Sequence, residues 1–261
     1  GTIDQGNTDF LLFTNTDSSI LQSGGTFIGG SGTFTGGIEI SGGAFDAGSG
    51  VFDCNIAFSV TGGTFNAGSS TLRTSAVFTV ASNATFTPGT GKIIFDGSGS
   101  TTILNPSSSP NSLTVNDVQI DRGGFPLSLQ ASQKLVVAGT LELTSGGIST
   151  GTVEALGNVV VGNSFVAGAN GKLRFAGNAH QTFINPLNVG LNGLVTLTVD
   201  KGVGSTVAVD GGLALSVGVF QGDLLITSGT LFLNNNANLT TGSINIAANG
   251  KMVNESATSI L

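Results

Sequence analysis

One histidine and one cysteine occur among 261 residues, so any catalytic or metal chemistry in this chain has to be built mainly from carboxylates. A zinc site, or a nucleophile with its base and orienter, needs several convergent groups. His180, in the segment GNAHQTFINP, aligns with Ser100 of an equivalent repeat and is expected as an exposed turn residue. Cys54 alternates with Phe52 and aligns with Thr74, which predicts an inward, small, apolar side chain. A single cysteine excludes an internal disulfide.

Glycoside and polyuronate chemistry needs two or more Asp or Glu side chains, or a calcium-bound cluster, converging on one face. The 15 acids here are scattered, and only Asp117 and Asp121 lie close together within the repeating region. At about 20 residues per coil, Asp46 stacks on Asn66 and Thr87 as a lone acid, and Asp53 stacks on Arg73, which predicts an ion pair between coils. The calcium-binding nonapeptide is absent. The stretch SGGTFIGGSGTFTGG near Ser23 lacks the Lys-Ser/Thr and the following helix of a phosphate loop, so it reads as corners of a repeat. Thr-x-Thr pairs at Thr33, Thr85 and Thr196 do not recur in every coil, as an ice-binding array would require. Sequons at Asn83, Asn238 and Asn254 are expected by chance in a chain rich in Asn, Ser and Thr. No catalytic, cofactor-binding or metal residue is assigned, and the chain is read as non-enzymatic.

What positions such sparse chemistry is a repeat. The segments starting at Ile38, Phe58 and Phe78 share one pattern with steps of 20 residues, and the inner phenylalanines follow at Phe45, Phe65 and Phe86. Ile40, Val60 and Val80 align, as do Phe52, Leu72 and Ile93, with Glu39, Ser59 and Thr79 at the alternate position. Period-2 alternation of this kind marks strands with one buried face. A longer repeat, GKIIFDGSGSTTILNP from Gly91, returns as GKLRFAGNAHQTFINP from Gly171, an offset of 80 or about four coils. VQIDRGG from Val118 is echoed by LTVDKGV from Leu197.

This organisation predicts an all-β, single-domain parallel β-helix, a β-solenoid, of either hand. About 13 coils at the roughly 4.8 Å strand spacing would make a rod of about 60 Å. Helices are excluded by 42 glycines and by the lack of a helical apolar stripe. Both Asn-Pro pairs, at Asn105 and Asn185, are expected at corners, and NPSSSPNS is expected to protrude. The solenoid is placed at residues 24–261, with residues 1–23 as an N-terminal cap or docking segment.

Composition narrows the partners. Charged residues make up 9%, the net charge is −7 and the pI is about 4.4, which leaves no basic patch for nucleic acid. No apolar run is long enough for membrane insertion as a helix. The start, GTIDQGNTDF, reads as a processed or excised chain. A surface of Ser, Thr, Asn and Gly offers little charge repulsion against association.

The GGTFNAGSSTL and GKxxFxGxxxxT units resemble the low-charge β-solenoid repeats of bacterial extracellular proteins such as surface adhesins and autotransporter passenger domains. The likeness covers most of 24–233 and is one of repeat type. It implies a secreted or surface-exposed structural role and supplies no active-site residues.

The resulting expectation is an extracellular building block of a filament, sheath or adhesin stalk, with copies of itself joined head to tail and glycan or the cell surface as further partners. The alternative is a carbohydrate-binding or carbohydrate-processing β-helix. For assembly, Phe10, Leu11, Leu12 and Phe13 form the candidate N-terminal docking segment, with capping of the first coil as the alternative. Ile244, Ile246, Val253, Ile260 and Leu261 form the candidate C-terminal edge, because an uncovered solenoid end templates further strands.

Overall fold

The computed structural model describes residues 2–4, 19–97, 101–104, 112–165, 170–186, 191, 194–211, 213–214, 222–234 and 239–254. Among them there is no helix, and the strands stack in parallel as a β-solenoid of roughly 21 residues per coil. One turn crosses three faces. In one coil these are Ala57–Val60, Gly63–Asn66 and Thr71–Thr74. We name them the Ile38, Phe45 and Phe52 faces, because Ile38 lies opposite Phe58, Phe45 opposite Phe65 and Phe52 opposite Leu72.

The alternation read from the sequence sets what is buried. Phe58 and Val60 are inside while Ser59 between them is half-buried, and the same holds for Phe78, Thr79 and Val80. Equal coil length then brings identical positions into register. Phe45, Phe65 and Phe86 stack with ring centroids 5.2 and 5.5 Å apart, and Phe58 stacks on Phe78 at 4.5 Å. Both expected phenylalanine ladders are present. At the corner after the Phe45 face, Asp46 Oδ1 accepts the Gly48 N–H at 3.0 Å, and Asn66 Oδ1 accepts the Gly68 N–H at 3.2 Å. Gly68 has φ +58°, and a Cβ there would overlap the Gly48 carbonyl, so glycine is needed for both conformation and close approach.

Coil length drifts along the rod. Thr33 lies opposite Val51, 18 residues on; Thr71 opposite Lys92, 21 on; Lys92 opposite Asp117, 25 on; and Phe183 opposite Val209, 26 on. The stack therefore has fewer, longer coils than the 13 expected. The drift also changes the meaning of the 80-residue repeat. From Lys92 on the Phe52 face, three turns lead through Asp117 and Val118, Leu141 and Val159. Two faces later the chain reaches Lys172, which stacks through Thr152 and Lys134 on Ser112, between the Ile38 and Phe52 faces. The duplicate motif is thus three turns and two faces away, not four coils, and occupies the Phe45 face.

Pairing begins before residue 24. Ser19–Ile28 already stacks on Gly37–Asp46, and Thr2–Asp4 pairs in parallel with Thr26 to Ile28. The alternation of Ile20, Leu21 and Gln22 continues that of Ile38, Glu39 and Ile40, which is why the first coil joins the sheet. Phe10, Leu11, Leu12 and Phe13, most of NPSSSPNS, and Ile260 and Leu261 lie outside the described residues. Asn185 is buried at the end of Gln181–Asn185, and Pro186 follows in a turn.

Candidate functional site

The carboxylates are occupied by structure. Asp117 Oδ1 accepts the Thr140 N–H, and Asp121 Oδ1 accepts the Ser145 hydroxyl, each at 2.6 Å. Asp53 is in register with Arg73 as expected, but the guanidinium reaches onward to Asp96 at 2.6 Å, so the ion pair spans the next coil instead. Lys92 pairs with Glu142 at 2.8 Å across two coils. Glu154 sits between Lys134 and Arg174, and Arg174 also holds Asp200, making a four-member charge ladder along the Phe45 face. The hydrogen bond from Arg174, then that from the Ser228 hydroxyl, lowers the Asp200 pKa below the usual carboxylate value. For Arg174, burial opposes the charge, but Asp200 and Glu154 outweigh it and raise the pKa.

His180 is exposed, with Nδ1 2.8 Å from Thr206 Oγ1. Cys54 is fully buried, and burial, helped by the Asp53 charge, pushes its thiol far up. Among the described residues no three His, Cys, Asp or Glu side chains gather as a metal site would require. A groove of about 180 Å³ runs beside the Ile38 face, lined by Leu21, Ser23, Glu39, Ser41, Ser59 and Thr61 among others.

Two buried cations have no counterpart in the sequence reading. Arg122 and Lys201 are each 1% exposed. Arg122 donates to the Asp96 carbonyl at 2.7 Å, and Lys201 donates to the Ala176 carbonyl at 2.8 Å and to Gln181 Oε1 at 2.5 Å. The surroundings match: Asp121 and Asp200 each accept a serine hydroxyl from the next coil, Ser145 and Ser228, followed by Gly146 and Gly229 at φ +81° and +78°. Each motif sits at a shift of register, between Ile120 and Asp121 and between Val199 and Asp200. A bulge takes carbonyls off the ladder, and a buried carbonyl needs a donor. The cation supplies it. Burial lowers the Arg122 pKa, against the Asp96 charge, and pushes Lys201 down to about 8. The shared Asp-Arg/Lys-Gly of the two repeats was the sequence signal for this motif.

The C-terminal edge has the strongest site character. On the Phe45 face one inward ladder runs Leu113, Leu135, Val153, Leu173, Leu197, Leu224, Ile244. A second runs Val115, Val137, Ala155, Phe175, Val199, Ile226, Ile246. Leu197, Val199, Leu224 and Ile226 are 0% exposed, whereas Ile244 and Ile246 are each 44% exposed. They lie on Ile244–Asn254, the last described strand, whose pairing in the described residues is to Asp223–Leu233 alone. Val253 is not on the inward ladder: it lies opposite Phe232, while Met252 lies opposite buried Leu231. No helix is long and apolar enough to cross a membrane among the described residues. No family model, curated protein or solved structure matches this chain.

Proposed function

We propose that this chain is a non-enzymatic, structural building block of an extracellular filament, sheath or adhesin stalk that joins copies of itself end to end. The observation that carries the reading is the pair of apolar ladders that run out at Ile244 and Ile246 on an unpaired strand edge. Such an edge binds another strand through its free N–H and C=O groups, and covering two isoleucines adds apolar burial. The few charges, 9% of residues, oppose contact weakly. A head-to-tail contact does not close on itself and grows a filament.

Electron microscopy of the purified chain tests this. Filaments are expected, and their loss is expected in Ile244→Lys/Ile246→Lys with β-sheet circular dichroism retained. A monodisperse monomer at high concentration would overturn the proposal.

The groove beside Glu39 favours one second reading, carbohydrate binding. Its hydroxyls and carboxylate suit sugar hydroxyls, and exposed Leu21 supplies an apolar wall. Saturable binding of a soluble polysaccharide, weakened by Glu39→Gln, would support it, and the absence of binding would remove it.

A further inference from the structure

The two terminal strands of the described stack lie on the same face. Thr2–Asp4 pairs with Thr26 to Ile28, which stack on Ala44 to Asp46 of the Phe45 face. At the other end, Ile244 to Ile246 stack on Leu224 to Ile226 and continue the ladder of that face from Ser112. Within the described residues each strand has a partner on one side only. All of these pairings are parallel, so the strands point the same way round the turn.

We infer that the occupant of the C-terminal edge is the strand Thr2–Asp4 of a second copy, added in parallel over Ile244 to Ile246. This rests on the end-to-end reading and deepens it by naming the partner strand and the register. A second copy placed this way keeps all three faces in phase across the junction, because the Phe45 face of one chain continues as the Phe45 face of the next. The alternation limits the register. Ile3 lies opposite Phe27, a buried position, and Ile244 and Ile246 lie opposite the buried Leu224 and Ile226. A slip of one residue would exchange the two sides of the sheet. Ile3 therefore falls opposite Ile244 or Ile246, and Asn245 falls opposite Thr2 or Asp4.

Mixing single-cysteine variants under mild oxidation tests the register. Asn245→Cys mixed with Asp4→Cys or with Thr2→Cys is expected to give a disulfide-linked dimer at least about tenfold more abundant than Asn245→Cys mixed with Ile3→Cys, because bridging requires Cα atoms within about 7 Å. Native Cys54 is fully buried with a strongly raised thiol, which keeps it out of exchange. Electron microscopy of the same mixtures separates the two levels of the claim. Filaments in which Asn245→Cys links only to itself, or equally to Ile3→Cys, overturn the proposed junction and leave end-to-end assembly standing. Absence of both filaments and cross-links overturns both.

Discussion

The coils from Ile38 to Phe95 and those from Leu113 to Ile226 build the same three-faced rod from different interiors. In the first region the steps are 20 and 21 residues, and flat rings lie directly above one another, as in Phe27, Phe45, Phe65 and Phe86 at 4.3 to 5.5 Å. In the second region the coils lengthen to as many as 26 residues and the interior becomes Leu, Val and Ile, and the described rings make one edge contact, Phe175 on Phe183. The longer coils place their extra residues at corners, where register shifts occur and where Arg122 and Lys201 are buried. Equal spacing permits aromatic stacking without polar help. Unequal spacing frees backbone carbonyls at bulges, and an inward donor has to satisfy them. Even the first coil fits this rule. It shifts register after Gln22, and Gln22 Nε2 donates to the Gly25 and Ala44 carbonyls at 3.2 and 2.9 Å.

The contrast can be broken most directly at the core. Phe65→Ala removes a 0% exposed ring between Phe45 and Phe86 and is expected to cost roughly 3–5 kcal/mol in chemical denaturation. Leu173→Ala, equally buried in the second region, is expected to cost less, about 2–3 kcal/mol, because no stacking is lost. Equal losses would mean that the ring stack adds nothing beyond burial.

The buried cations sharpen the comparison through pH. The Lys201 pKa is lowered from 10.5 unfolded to about 8 folded, so between those values the unfolded chain binds more protons. Stability is therefore expected to rise with pH across that window, by on the order of 1 kcal/mol per pH unit at most. Below about pH 8 the ammonium is charged in both states and the cost of burying it is constant. Lys201→Met should flatten the rise in melting temperature, and an unchanged profile would assign the slope to other groups.

The smallest expected effect is on the charge ladder. Arg174→Ala breaks contacts to Glu154 and Asp200 at the surface and should cost about 1 kcal/mol in low salt, less in high salt. Arg73→Ala in the first region breaks one exposed pair and should cost under about 0.5 kcal/mol. A larger loss for Arg73 would show that the regular coils depend on ion pairs after all.

What the sequence determined is local and periodic. Alternation at Phe58, Ser59 and Val60 dictates which side of a strand is buried, and steps of 20 and 21 dictate that Phe45, Phe65 and Phe86 superpose, because a solenoid coil packs only on the coils beside it. The assignments of Cys54 inward and His180 outward came from the same alternation and alignment, and the structure places both there. The tertiary structure alone decided quantities that accumulate along the rod or depend on reach. Small differences in coil length sum to a one-face rotation between the GKIIF and GKLRF repeats, which counting residues in twenties hides. The long guanidinium of Arg73 passes its register partner Asp53 for Asp96, since register fixes the backbone and not the far end of a flexible side chain. Lys201 and Arg122 read as surface charges by residue type, yet they are buried where the bulged corners expose carbonyls that only an inward donor can meet.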